Sequence, residues 1–193
     1  METKIRRRRP AFDREHGVAI AQALFHERGY DAVGVAELTK ALDINPPSLY
    51  AAYGSKAELF DRAMRRYIEN NMLDIDKLPA ASSEPAVLLT ELFVAAAIRY
   101  TENVKSLGCM VTEGLGADDE TARNMAAELA KVSSDKIRTY VAARYPGDHE
   151  KITDYVLLTL RGISSFARQG SGQERLMQCA RIAGRALEGD ASF

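Results

Sequence analysis

Tryptophan is absent from this 193-residue chain, and cysteine occurs only twice, as Cys109 and Cys179. Two cysteines do not make a disulfide framework, which argues against a small stapled secreted domain. Reduced thiols fit a cytoplasmic location. No apolar run follows the basic N-terminus, so no secretory signal is expected. The longest apolar stretch, Leu92 to Ile98, is bounded by Glu91 and Arg99 and is far too short to span a bilayer.

The familiar signatures of catalysis are missing too. There is no GxGxxG after a strand, no P-loop, no HExxH, no CxxC and no GxSxG. Ser171 lies in Gly170-Ser171-Gly172, a helix-to-helix turn rather than a strand-to-helix elbow. Asp118-Asp119-Glu120 reads as a negatively charged helix start, favoured by the helix dipole, before it reads as a metal site. His16 and His26 read as exposed helix residues, with nothing near them at metal-ligand spacing. No catalytic residue, metal or cofactor is expected, and an enzyme reading has no residues to stand on.

What is present favours helices. Hydrophobic residues make up 46% of the chain, enough for a real core, and Ala, Leu, Glu, Arg and Lys dominate. The net charge of −1 is unevenly spread: residues 1–66 hold 12 Lys/Arg against 9 Asp/Glu, and residues 67–193 hold 14 against 18. The basic end suits a polyanion. Arg6, Arg7, Arg8 and Arg9 are adjacent like charges that will not fold alone. They read either as a solvated tail or as an arm laid along DNA, and the segment that follows favours the arm.

That segment, Val35 to Tyr53, reads as two short helices joined by a tight turn. Val35, Leu38 and Leu42 give the first an apolar face. Asp43-Ile44 makes the turn. Asn45 can cap the second helix, and Pro46 occupies its first position, where a missing N–H costs nothing. This is a helix-turn-helix unit, whose second member lies in the major groove. A first helix precedes it from Phe12 to Arg28, capped by Asp13, buried through Val18, Ala21, Leu24 and Phe25, and stopped by Gly29. Ser55-Lys56-Ala57-Glu58 is a capping box that opens a fourth helix to about Asn71.

Ala23-Leu24-Phe25, Glu27-Arg28-Gly29-Tyr30, Val35, Leu38, Ala41, Ile44, Ser48-Leu49-Tyr50, Tyr53, Ser55-Lys56, Glu58 and Leu59-Phe60 occur in the order and spacing of one family. Over about Phe12 to Met64 the chain resembles the TetR-type one-component transcriptional regulators. The rest is similar to them only in length and helical character. The sequence departs from the family at Gly34, where a Ser or Thr usually caps the second helix, and at Asp43, where Gly is preferred. Asp tolerates the left-handed region better than most residues. Pro46, Pro47, Ala51 and Ala52 cannot make bidentate hydrogen bonds to bases, though they can touch thymine methyl groups. Polar readout then falls to Asn45, Ser48 and Tyr50. The resemblance implies Tyr50 and Lys56 as backbone anchors, and Leu49 and Tyr53 read as core.

Beyond a break at Leu73 to Pro85, an apolar helix is expected to Val104, then a short segment from Gly108 to Gly116, and a long helix capped by Asp118 or Asp119 to about Arg144. Two last helices are expected over Asp148–Gln169 and Gln173–Glu188. The resemblance implies that these two pair with their copies, through Tyr155, Gly162, Phe166, Leu176, Ala180, Ala183 and Leu187. The fold class is therefore all-α with about nine helices. The divisions are a basic arm (1–11), a helix-turn-helix domain (12–55), a connecting helix (56–72) and an effector and dimerisation domain (73–193). Helix faces nominate Phe93, Ile98, Tyr100, Met110, Met125 and Tyr155 as the lining of an effector cavity. The implied function is a homodimeric, DNA-binding repressor, released from a palindromic operator by a small molecule and not associated with a membrane. The alternatives are a ligand-dependent activator, or an electrophile or redox sensor acting through Cys109. Buried cysteines are usually inert, but a Gly-Cys opening a short helix has the setting of reactive thiols.

If Arg6, Arg7, Arg8 and Arg9 bind phosphates, neutralising them weakens binding to every duplex. The log–log salt slope then flattens by about 0.9 for each phosphate that no longer meets a cation. Titrations from low to moderate salt check this, and an unchanged slope assigns the four arginines to a mere tail.

Overall fold

The computed structural model describes residues 13–73, 75, 78 and 84–188. Arg6, Arg7, Arg8 and Arg9 lie outside them, as does most of the expected break between 73 and 85. Among the described residues there are nine α-helices and no strand.

Local chemistry sets the first four helices. Asp13 accepts hydrogen bonds from the Glu15 and His16 amides at 3.0 and 3.1 Å and starts α1, Arg14–Arg28. Gly29, at φ 81°, ends it. Gly34 caps α2, Val35–Ala41, without any side-chain bond. Asp43 takes φ 50° in the turn. Asn45 then accepts the Ser48 amide at 2.9 Å and opens α3, Pro46–Tyr53. Gly54, at φ 86°, ends α3, and the Glu58 carboxylate occupies the space where a Cβ on Gly54 would stand. Ser55 accepts the Glu58 amide at 3.1 Å and starts α4, Lys56–Asn71.

Five helices follow: α5 (Pro85–Arg99), α6 (Met110–Gly114), α7 (Glu120–Ala142), α8 (His149–Arg168) and α9 (Gln173–Arg185). α5 stops at Arg99, short of the expected Val104. Tyr100 caps it, and the Gly108 amide returns to the Tyr100 carbonyl at 2.9 Å, closing residues 101–107 into a loop. Gly108 sits at φ 77°, and a Cβ there would lie 3.0 Å from the Ser164 carbonyl, so α8 passes against this loop closely.

Two apolar clusters form. The first joins Phe25, Leu38, Leu49, Tyr53, Phe60 and Met64 of α1 to α4 with Met110 and Val111 of α6 and Ala122, Ala126 and Leu129 of α7. The rings of Phe25 and Phe60 meet edge to face at 5.1 Å, and Tyr30 tilts against Phe60 at 5.0 Å. The second joins Leu89, Leu92, Phe93 and Ala96 of α5 with Ile137 and Val141 of α7, Ile152, Val156 and Ile163 of α8, and Leu176 and Ala180 of α9. α9 lies tightly on α5: a Cβ on Gly184 would fall 2.0 Å from the Thr90 hydroxyl. Cys109 borders both clusters.

Candidate functional site

The helix-turn-helix presents α3 outward. Leu49 and Tyr53 are buried, and the Tyr53 hydroxyl donates to the Arg14 carbonyl at 2.9 Å, fixing α3 against α1. Asn45, Pro46, Pro47, Ser48 and Ala51 are all at least partly open to solvent, and Tyr50 is 49% exposed. Lys56 is only partly exposed. Its ammonium stands 3.9 Å above the Tyr30 ring, and burial lowers its pKa, against the pull of Asp31 and Asp119.

Two sets of polar contacts tie this unit to the rest of the chain. On one side, the Tyr30 hydroxyl donates to Asp119 at 3.2 Å, and the Asp118 amide donates to Asp31 at 3.1 Å, linking the α1–α2 loop to the start of α7. On the other, Arg168 at the end of α8 reaches the last turn of α1. Its guanidinium donates to the carbonyls of His26 at 2.7 Å, Glu27 at 3.5 Å and Leu107 at 3.4 Å. It also pairs with Glu113 of α6 at 2.9 Å. A cation on the carbonyls of a helix C-terminus is favourably placed.

His26 belongs to this junction, which corrects its reading as an exposed residue. It is 7% exposed, its ring stands edge-on to Tyr67, and its Nε2–H donates to the Gly108 carbonyl at 3.1 Å. The partner lies 82 residues away, so nothing near His26 in the sequence announces it. His16 is exposed.

Beside the junction lies a cavity of about 110 Å³. Tyr67, Ile68, Asn71 and Met72 form one wall, at the end of α4. Leu92 and Tyr100, Cys109, Val111, Thr112, Leu115, Ile137, Leu157 and Leu160 supply most of the remainder. Its size is of the order that holds a single aromatic ring, roughly 150 Å³. Burial, above all, pushes the Tyr67 and Tyr100 hydroxyls well above the ordinary tyrosine range, and the nearby Cys109 pushes both in the same direction. Both hydroxyls therefore stay protonated. Wider hollows at Ile98–Glu102 and at Tyr30–Lys56 are open surface grooves.

Of the six residues nominated from helix faces, the structure brings only Tyr100 to this cavity. Phe93 is fully buried and packs edge-on to Tyr155 at 6.4 Å. Tyr155 donates its hydroxyl to the Ala183 carbonyl at 2.8 Å. Met110 and Met125 pack in and against the first cluster, and Ile98 faces outward. A helix face says that a side chain is inward; it does not say which of several interhelical spaces it enters. Tyr67, Asn71 and Leu157 were missed for the same reason.

The stripe assigned to pairing with a second copy also splits. Leu176, Ala180 and Leu187 are buried in this chain's own second cluster. They seat α9 against its own neighbours in this chain. Ala183 is partly buried, its carbonyl taken by Tyr155. Gly162 has open space over it, and Phe166 is 54% exposed. With Leu158 at 68% and Ile182 at 58%, they leave large apolar side chains uncovered on α8 and α9.

Comparisons with known proteins agree with this arrangement. Residues 18–63 match the family model for bacterial regulatory proteins of the tetR family. The chain is 38% identical over 177 residues to the HTH-type transcriptional repressor BdcR of Escherichia coli (strain K12), covering 92% of this chain and 90% of the relative. It is 26% identical over 188 residues to the HTH-type transcriptional repressor ComR of the same organism, with 92% of this chain and 90% of the relative covered. Its fold is similar to that of a cysteine mutant of the TetR family transcriptional regulator CifR, solved in complex with a 26 bp double-strand operator DNA. That match has a TM-score of 0.80 and 28% identity, over 93% of this chain and 98% of the other.

Burial lowers the pKa of His26, which the Gly108 carbonyl only partly offsets. The unfolded chain takes up a proton near the ordinary histidine value of about 6.5, before the folded chain does. Stability is therefore full above that pH and falls as pH drops below it, until the folded form is protonated as well. The limiting slope for one proton is about 1.4 kcal/mol per pH unit. Urea unfolding of the parent and of His26→Gln between about pH 7.5 and 5.5 checks this, with the variant losing that part of the slope.

Proposed function

The chain belongs to the tetR family of bacterial regulatory proteins and is a DNA-binding transcriptional regulator; from that premise we propose that it is a homodimeric repressor released from a palindromic operator by a small molecule. Residues 12–55 read the DNA, α4 connects, and the remaining helices hold the effector and the second copy. Such a regulator works on the chromosome, in the cytoplasm. The single observation that carries the reading is the double duty of α4. Its first half packs in the core of the reading unit, and its last turns wall the cavity.

Two copies meeting through Leu158, Gly162 and Phe166 of α8 and Ile182 of α9 cover the apolar side chains that one copy leaves in water. The two α3 helices then enter major grooves about 34–36 Å apart. The effector is compact and largely apolar, with an oxygen that Tyr67 or Tyr100 can donate to. It shifts the protein only by the difference between its affinities for the DNA-competent and incompetent states.

A second reading is favoured by one feature. Cys109 combines a cavity-lining thiol, two tyrosine hydroxyls and a backbone amide held by Ser164 at 2.8 Å. A small electrophile bonded to the Cys109 sulfur would fill the same space as a reversible effector. Labelling of the native protein by iodoacetamide separates the two. Faster reaction at Cys109 than at exposed Cys179, with loss of DNA binding, supports the electrophile sensor, and slow reaction at Cys109 removes it.

The repressor itself is tested by selecting duplexes from a random pool with the full chain. A symmetric preferred site and a dimeric mass in sedimentation are expected. Phe166→Asp should give a monomer and lower operator affinity by about tenfold or more, because each chain then holds a single half-site without help from a tethered partner. A parent that sediments as a monomer, or selects nothing, overturns the reading.

A further inference from the structure

α3 contains no Arg, Lys, Gln, Glu or Asp; its sequence is Pro46-Pro47-Ser48-Leu49-Tyr50-Ala51-Ala52-Tyr53. Leu49 and Tyr53, four residues apart, hold it to the core. Pro47 and Ala51, also four apart, stand on the opposite side of the helix, and both are exposed. Ser48 and Tyr50 flank that line. Asn45 is the nearest amide, but its side-chain oxygen already accepts the Ser48 N–H at 2.9 Å. Bidentate readout of an adenine by Asn45 would have to share that oxygen with the cap of α3. The cations closest in sequence are no better placed: Lys40 belongs to α2, and Lys56 leans on the Tyr30 ring.

Each base pair demands a definite partner in the major groove. Guanine is read by Arg or Lys, adenine by Asn or Gln, cytosine by Asp or Glu, and the thymine methyl by an apolar group. The centre of this surface offers only the last. The hydroxyls of Ser48 and Tyr50 flank that centre, and a hydroxyl, which can serve either kind of base or a phosphate, discriminates little.

We propose that α3 reads its operator chiefly through thymine C5-methyl groups, with Pro47 and Ala51 as the specificity-determining residues. This rests on the reading of the protein as a sequence-specific regulator and adds the chemistry of what it reads. The central positions of each half-site are then A·T pairs with their thymine methyls turned toward α3. Guanines there are not contacted through N7 or O6. Phosphate contacts elsewhere supply affinity without sequence preference.

The test uses the full chain and the duplex it selects from a random pool. Thymines are replaced one at a time by uracil, which keeps pairing and the O4 acceptor and removes only the methyl. One or two positions under each α3 should lose about three- to tenfold in affinity, the scale of one or two buried methyl groups. Thymines elsewhere should change by less than about twofold, since no methyl there leaves water on binding. 7-Deazaguanine at any guanine under α3 should bind as guanine does. In Ala51→Gly the preference for thymine over uracil should shrink toward unity at one position while binding to random duplex is kept. Ala51→Ser, which keeps the Cβ and sets a hydroxyl against the methyl, should act likewise if the glycine unfolds the short helix. Uracil tolerated everywhere, a large loss with 7-deazaguanine under α3, or undiminished thymine preference in a folded Ala51 variant each overturns the proposal while leaving the regulator intact. A pool that yields no preferred duplex overturns both.

Discussion

Sixteen residues of α4 belong to two environments at once, and the architecture is arranged around that sharing. Leu59, Phe60, Ala63 and Met64 complete the core of the helix-turn-helix, while Tyr67, Ile68, Asn71 and Met72 stand on the cavity. A helix of that length spans about 24 Å and does not bend without an identifiable cause. α4 has no proline and no glycine. On the function proposed above, a displacement at its far end would appear as a tilt at its near end. The ring cluster of Phe25, Tyr30 and Phe60 packs the near end against α1, so the reading unit would follow α4.

Arg168 and Asp119 hold the same unit from two other directions. Neither interaction makes a large contribution to stability. Partly exposed ion pairs contribute little, because solvent screens them and side-chain order opposes them. Their effect is positional. Arg168 binds carbonyls at the end of α1, a loop carbonyl close to Cys109, and the Glu113 carboxylate of α6, so three segments share one planar cation. The loop that Arg168 and His26 both hold runs straight into the cavity wall at Cys109. On the function proposed above, these few directional bonds are the contacts through which a ligand in the cavity would reach α1.

The helix-turn-helix was legible because its determinants are local. Asp13, Asn45 and Ser55 each cap the helix that begins one residue later, Gly29 and Gly54 end theirs, and Asp43 takes the left-handed turn. Each of these is decided within a few residues of sequence. The cavity was not legible, because several helices must be placed before it exists. Phe93 and Met110 are inward, as their spacing says, yet each faces a filled core. His26 escaped for a related reason, since its burial depends on Gly108. α9 shows what periodicity leaves open. Leu176, Ala180 and Leu187 repeat at helical spacing, and periodicity marks them as covered without saying by what. The covering element is α5, packed so closely that Gly184 has no room for a methyl group.

A reading helix with few polar groups has a consequence for control. Methyl contacts and phosphate contacts are individually modest, so one half-site holds one α3 weakly. Useful affinity then depends on both half-sites being met at once, where the second contact profits from the effective concentration set by the first. That gain disappears when the spacing of the two α3 helices no longer fits the groove repeat. On the function proposed above, a small tilt of each α4 would spoil the fit, because errors from two copies add across the dimer axis. An effector would then need to supply only a coupling of about 1–3 kcal/mol, the common range for allosteric pairs, to release the operator. A ligand small enough for the cavity of about 110 Å³ would supply it through its preference between the two states. A regulator anchored by strong bidentate base contacts would demand a larger ligand or a larger movement. The sparse chemistry of α3 and the small size of the cavity are in this sense matched.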